Sequence, residues 1–171
     1  EIGMKYQMNL PSKDGSNERA GTRTPMQWTA GSTAGFSTCP PEHLYLPVDT
    51  ENGTLTVETQ EKNSQSLLNF VRQLIVLRQS SEALGNTGDW ELVSDVNKPY
   101  PMVYKRVKGN DVYLIALNPG KKKVEAAIGS LSNEYTPVIQ VGQTAWIMRK
   151  GKQCIAMGGI SAAVFKVTVG N

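Results

Sequence analysis

MVYKRVKGNDVYLIALN, Met102 to Asn118, consists of two β-prone runs, Met102–Val107 and Val112–Asn118, joined by Lys108-Gly109-Asn110-Asp111. Val, Ile and Tyr favour strands, and Gly beside Asn supplies the positive φ angles of a tight hairpin turn. Outward from this hairpin, short runs of the same kind recur at spacings of roughly 8–12 residues, the rhythm of an all-β sandwich or barrel. They are Trp90–Ser94, Val124–Ile128, Thr136–Val141, Ala145–Arg149, Gln153–Met157 and Ser161–Thr168. Asn118-Pro119-Gly120-Lys121 reads as a further turn, and so does Met157-Gly158-Gly159-Ile160.

Upstream the period changes. Leu67, Phe70, Val71, Leu74, Ile75 and Leu77 follow the i, i+3, i+4, i+7 pattern, which predicts an amphipathic helix within 64–84. Asn63 or Ser64 is expected to cap it, and Gly85-Asn86 to stop it in the left-handed conformation. Arg72, Gln73 and Arg78 form its wetter face, and the breadth of the apolar stripe predicts burial on more than one side. Residues 5–63 are rich in Gly, Pro, Ser, Thr and Asn and show no sustained period. A segment so long without structure is unusual inside a compact domain and reads as a functional loop or part of a larger body. The opening Glu1-Ile2-Gly3-Met4, without an initiator Met or signal pattern, reads the same way.

Composition narrows the function classes. Lys and Arg number 18 against 15 Asp and Glu, a net charge of +3 that is too small and too scattered to name nucleic acid as a partner. No apolar run has the length of a membrane span, about 18 residues. Two distant cysteines, Cys39 and Cys154, are expected as free thiols rather than a disulfide. A single histidine, His43, excludes a zinc site of several His ligands, and any Ser-His-Asp triad would run through it alone. No Walker A loop or strand–GxGxxG–helix unit is present, so no cofactor and no metal are expected. Lys121-Lys122-Lys123 follows a turn and reads as a solvated hairpin end. Asp49, Glu51, Glu58 and Glu61 lie in a polar stretch and read as loop carboxylates rather than a general acid/base pair.

The stretch most suggestive of chemistry is Arg23-Thr24-Pro25-Met26-Gln27-Trp28, followed by Ala34-Gly35-Phe36-Ser37 and Leu44-Tyr45-Leu46-Pro47-Val48. Pro25 fixes φ, and Met26 and Trp28 offer apolar support. A guanidinium held this way presents five donors in a rigid fork, suited to sugar hydroxyls or a carboxylate. The same pattern fits a structural arginine that ties a loop to backbone carbonyls.

These residues resemble the C-terminal end of an α-amylase-superfamily glycosidase of the α-glucosidase, oligo-1,6-glucosidase and trehalose-synthase branch. Arg23–Trp28 is similar to that family's RTPMQW residue for residue, and Ala34–Ser37 to its AGFS. Glu1–Met4 resembles the end of its eighth barrel strand, Leu44–Val48 its LYLPV segment, and Ser66–Arg78 the helix that closes its barrel. Thr29 stands where the family often has Asp, and Asn17–Thr22 looks nearer to the trehalose-synthase form.

The resemblance implies a mainly β fold: a C-terminal antiparallel β-sandwich, preceded by one amphipathic helix and a long loop left from the end of a (β/α)8 barrel. Residues 1–85 would be the end of the catalytic barrel and 86–171 the β-sandwich domain. It further implies a retaining glycoside hydrolase whose Asp nucleophile, Glu acid/base and third Asp precede residue 1. Arg23 would bind glucose in the −1 subsite, and this chain alone would be inactive. The implied partners are α-linked glucose oligosaccharides and the missing N-terminal barrel, with no nucleic acid and no membrane; the compartment, cytoplasmic or periplasmic, stays open. Trehalose synthase is the alternative activity. A rival of another class is a non-catalytic carbohydrate-binding or structural sandwich, with Trp90, Tyr100, Tyr104 and Trp146 as a stacking platform.

Overall fold

The computed structural model describes residues 1–8, 10, 19–49, 55–129 and 133–169; Asn17, Glu18 and Glu51 lie outside them. The chain divides into two units, Glu1–Val76 and Leu77–Asn171.

The second unit is mainly β and wholly antiparallel. Its strands are β1 (Asp89–Leu92), β2 (Met102–Lys108), β3 (Asp111–Asn118), β4 (Val124–Gly129), β5 (Asn133–Val141), β6 (Thr144–Arg149), β7 (Lys152–Met157) and β8 (Ser161–Val169). They form a five-stranded sheet in the order β1-β2-β3-β8-β5 and a three-stranded sheet β4-β7-β6. Every run predicted from the sequence is a strand. The β2–β3 hairpin turns at Gly109-Asn110, but only Gly109 takes a positive φ, 55°. Both residues were expected to do so, and a positive φ at the first position alone marks a II′ rather than a I′ turn.

Period-2 alternation sends one face of each strand into a shared core. Val103, Leu114, Ala116, Ala163, Phe165 and Val167 of the larger sheet meet Ile128, Ile155 and Met157 of the smaller. On the opposite face of the larger sheet, Tyr113 and Ile115 pack with Ala83, Leu77, Leu84, Tyr104 and Val164. The middle of β3, Val112 to Ala116, is therefore buried on both faces, which accounts for its unbroken apolar run. β5 is an edge strand with a register shift between Pro137 and Ile139. An edge and a bulge are the places where a strand tolerates proline.

The first unit carries two single-turn 3-10 segments, Ala20–Thr22 and Pro41–His43, then α1 (Val57–Glu61) and the start of α2 (Leu67–Gln79). Sequence reading placed no element in 5–63, and a five-residue helix is too short to show a 3.6-residue period. α1 exists because Thr56 and Thr59 cap it reciprocally: each hydroxyl accepts from the other's backbone N–H, at 3.1 and 3.2 Å.

α2 departs from expectation in three ways. Its cap is Ser66, whose Oγ accepts from Asn69 N–H at 3.3 Å, whereas Asn63 accepts from Gln65 N–H. It ends at Gln79, and Gly85 does not take a positive φ. The reason lies just beyond the helix. Asp111 accepts from Ser81 Oγ at 2.5 Å and Ala83 N–H at 3.2 Å, drawing 81–84 out of helical path and onto the sheet. Finally, no residue of α2 is buried, and Leu67, Ile75 and Val76 are 44%, 49% and 64% exposed. The apolar stripe is present as read, but no second wall of side chains covers it.

Candidate functional site

The RTPMQW stretch is built from a close backbone approach. Gln7 N–H donates to Gly21 O at 3.2 Å, and a Cβ on Gly21 would lie 2.1 Å from Gln7 O, so only glycine fits there. Arg23 follows this turn, its N–H closing onto Ala20 O at 3.0 Å. Its side chain is exposed and makes no hydrogen bond or ion pair with the described residues. Among the described residues no backbone carbonyl accepts from its guanidinium.

Support for the loop comes mainly from hydrogen bonds rather than from the tryptophan. Pro25 is buried and Met26 half-buried, but Trp28 is 48% exposed. Gln27 is the buried anchor, with Nε2 donating to Leu55 O at 3.1 Å. The carbonyls of Gln27 and Trp28 accept from Val57 and Glu58, the first two N–H groups of α1, at 2.9 and 3.0 Å. Those orphan donors are thereby satisfied by the loop. Trp28 and Thr29 in turn donate to Ala34 O at 2.8 and 3.1 Å, with Ala34 held at a φ of 50°. The AGFS run is the clasp of this turn. Trp28, Phe36 and Tyr45 leave much of their rings exposed on the same unit.

A second buried glutamine ties α1 to its surroundings. Gln60 donates through Nε2 to Ile2 O at 2.5 Å and accepts through Oε1 from Leu68 N–H at 2.9 Å. Its carbonyl accepts from Ser66 Oγ at 2.8 Å and Asn69 Nδ2 at 3.0 Å. Sequence reading missed Gln60 altogether, because nothing local distinguishes a buried glutamine from a surface one. Its nearest signal is the lack of an apolar residue at a position that a helix this short must bury.

The other candidates are dispersed. Glu58 pairs with Lys62 at 2.9 Å and Glu61 with Arg72 at 2.8 Å, both on exposed surface, but they lie on helix α1 and not in the loop expected of them. His43 is exposed, and Cys39 and Cys154 are free thiols. Among the described residues no cluster of His, Cys, Asp and Glu has a metal-binding arrangement. Among the described residues no helix is long and apolar enough to cross a membrane. The four aromatics proposed as a platform do not share a face. Trp146 enters the core between the sheets, stacked 4.5 Å from Tyr135 and tilted against Phe165 at 5.0 Å. Trp90 and Tyr104 are neighbours, 5.8 Å apart, on the other side of the larger sheet.

The fold is shared with known proteins. Isomaltulose synthase from Erwinia rhapontici NX5 superposes with a TM-score of 0.70 at 22% identity, over 88% of this chain and 26% of that one. The isomaltulose synthase of Klebsiella sp. LX3 gives 0.69 at 24% identity, over 87% of this chain and 26% of its own. In sequence, residues 3–87 match the alpha-amylase catalytic domain, and through that segment the chain belongs to the alpha-amylase family. It is 32% identical over 150 residues to trehalose synthase/amylase TreS of Mycobacterium tuberculosis (strain CDC 1551 / Oshkosh), covering 83% of this chain and 24% of that protein. It is 34% identical over 121 residues to maltase A2 of Drosophila melanogaster, covering 70% of this chain and 21% of that protein. Probable oligo-1,6-glucosidase 3 of Bacillus subtilis (strain 168) is 34% identical over 100 residues, 58% of this chain and 17% of that protein. The chain thus spans about a quarter or less of the length of these relatives.

Proposed function

We propose that this chain is the C-terminal portion of a retaining α-glucosidase-like enzyme acting on α-glucosidic bonds of short oligosaccharides, and that Arg23 contacts the sugar. The observation that carries this reading is the Arg23 fork, unpaired among the described residues, on a loop whose backbone is fixed on both sides by Gly21, Gln27 and the N-terminus of α1. An arginine kept out of internal ion pairs retains its donors for a ligand. In the longer enzyme they would make charge-assisted hydrogen bonds to hydroxyls of a glucose ring distorted toward an oxocarbenium-like transition state. The retaining reaction needs two carboxyl groups roughly 5 Å apart. In this reading they belong to the barrel body, together with a third, stabilising Asp, while the β unit serves as a structural domain.

A second reading has a specific observation behind it: 83% of the chain aligns with a trehalose synthase/amylase. On that reading the glucosyl unit passes from maltose to give trehalose rather than to water. Product analysis separates the two. The enzyme that carries this segment, incubated with maltose, releases glucose alone if it is a hydrolase and accumulates trehalose if it is a transglucosylase. The chain by itself is expected to do neither.

Arg23→Lys in the longer enzyme tests the site. It keeps the charge and loses the planar fork. Loss of one charge-assisted bond, about 1.5–3 kcal/mol, corresponds to a roughly 10- to 150-fold fall in kcat/KM. kcat should fall with it and the melting temperature should hardly move. A variant that melts early yet turns over normally would make Arg23 a scaffold residue.

A further inference from the structure

We infer that Gln60 is a positioning residue, acting through α1 to set the place of the loop that presents Arg23; this rests on the proposed substrate-binding role of that loop. α1 has five residues, too few to hold a helix by its own hydrogen bonds, and Gln60 is its one buried side chain. Its location is therefore set by contacts at its two ends. At the N-terminal end, Val57 and Glu58 N–H hold the carbonyls of Gln27 and Trp28, inside the arginine motif. At the other end, the Gln60 amide bridges Ile2 O and Leu68 N–H, two chain segments distant in sequence. Both halves of the amide are used: the NH2 toward a carbonyl, the oxygen toward an N–H. No other side chain of that length offers a donor and an acceptor without charge. A shift at Gln60 moves α1, and α1 carries the Val57 and Glu58 N–H donors that hold the loop beyond Arg23. A misplacement of about 1 Å at a reacting group can cost on the order of 100-fold in rate.

The first test uses this chain. Gln60→Glu preserves the shape and turns a carboxylate toward Ile2 O; Gln60→Met removes both side-chain bonds without adding charge, should the first variant not fold. Amide exchange at Val57 and Glu58 should accelerate at least tenfold, with Leu114 and Ile155 in the β unit unchanged. Unaltered exchange at Val57 and Glu58 overturns the inference. The second test is a double-variant cycle in the longer enzyme, since coupled residues give non-additive effects. Gln60→Met alone should lower kcat about tenfold or more with a smaller change in KM. Combined with Arg23→Lys, it should add little to the loss from Arg23→Lys alone. Additive losses would give Gln60 a purely structural role and overturn the proposal. If Arg23→Lys by itself leaves the kinetics unchanged, the substrate-binding reading fails, and with it the catalytic half of this inference. The exchange result would still decide whether Gln60 fixes the loop.

Discussion

Asp111 shows how a single side chain can end one element and begin another. It opens β3, and its carboxylate gathers Ser81 Oγ, Ala83 N–H and the Lys166 ammonium, which also lies 4.4 Å from the centre of the Tyr113 ring. Burial pushes the Asp111 carboxyl up, but the bonds from Lys166, Ser81 and Ala83 outweigh it and hold the group below the ordinary carboxylate range. The stability this supplies is fully present above about pH 4 and is lost as pH falls through the lowered folded value. Burial likewise lowers Lys166, and its contacts with Asp111 and Tyr113 more than reverse that, so its contribution is lost only as pH rises through a raised value above about 10.4. With the side chains 38% and 26% exposed, solvent screens the ion pair to about 1 kcal/mol or less. The two further bonds add roughly 0.5–1.5 kcal/mol each. Asp111→Ala should therefore cost about 2 kcal/mol at pH 7 in urea unfolding, and the gap should narrow as pH drops below about 4. A gap independent of pH would remove the charge from this account.

At the scale of elements, the two tight hairpins differ in how well their residues suit the backbone. The β2–β3 turn has its positive φ on Gly109, where glycine carries no penalty. The β6–β7 turn puts Lys150 at 50° and Gly151 at 75°, so a lysine occupies the left-handed region. That placement costs an ordinary L-residue about 1–2 kcal/mol, and less for Asn. Lys150→Asn should raise the melting temperature by a few degrees, through a gain of up to about 1 kcal/mol, and Lys150→Val should lower it. Equal melting of all three would show that the turn relaxes instead. The strands were legible because each pairs a β-prone run with turn residues close in sequence. α1 was not, since its reciprocal cap uses Thr59 where Glu or Gln is the usual signature. The end of α2 was hidden too, because Asp111, which draws the chain away, lies 30 residues past Ser81. The same holds at the candidate site. Arg23 stands in a recognisable motif, whereas Gln60 acquires its role from Ile2, 58 residues away.

For the molecule as a whole, the two units differ in how completely they bury their apolar residues. Leu77–Asn171 has a core of its own, with Leu114, Ile155 and Met157 at 2% exposure or less. In the other unit, the part of α2 that belongs to it, residues 67–76, buries none of its side chains. Hydrogen exchange should follow this division, because amides that open only with the core are the slowest. Leu114, Ile155 and Phe165 are expected to exchange only by global unfolding, and the amides of Val71 to Ile75 at least tenfold faster. Equal protection in α2 and β3 would mean that the first unit has a stabilising core not evident from its burial. The break in register at β5 bears on solubility. β5 ends the five-stranded sheet, and there Pro137 lacks an N–H while Val138 interrupts the pairing register. A sixth strand, whether from a second copy or from a stretched peptide, meets an edge with an offset of one residue. Because a one-residue offset turns every following side chain to the opposite face, the incoming strand can match the edge before the bulge or after it, but not both. A bulge and a proline on an edge strand are among the features by which sheets discourage edge-to-edge pairing.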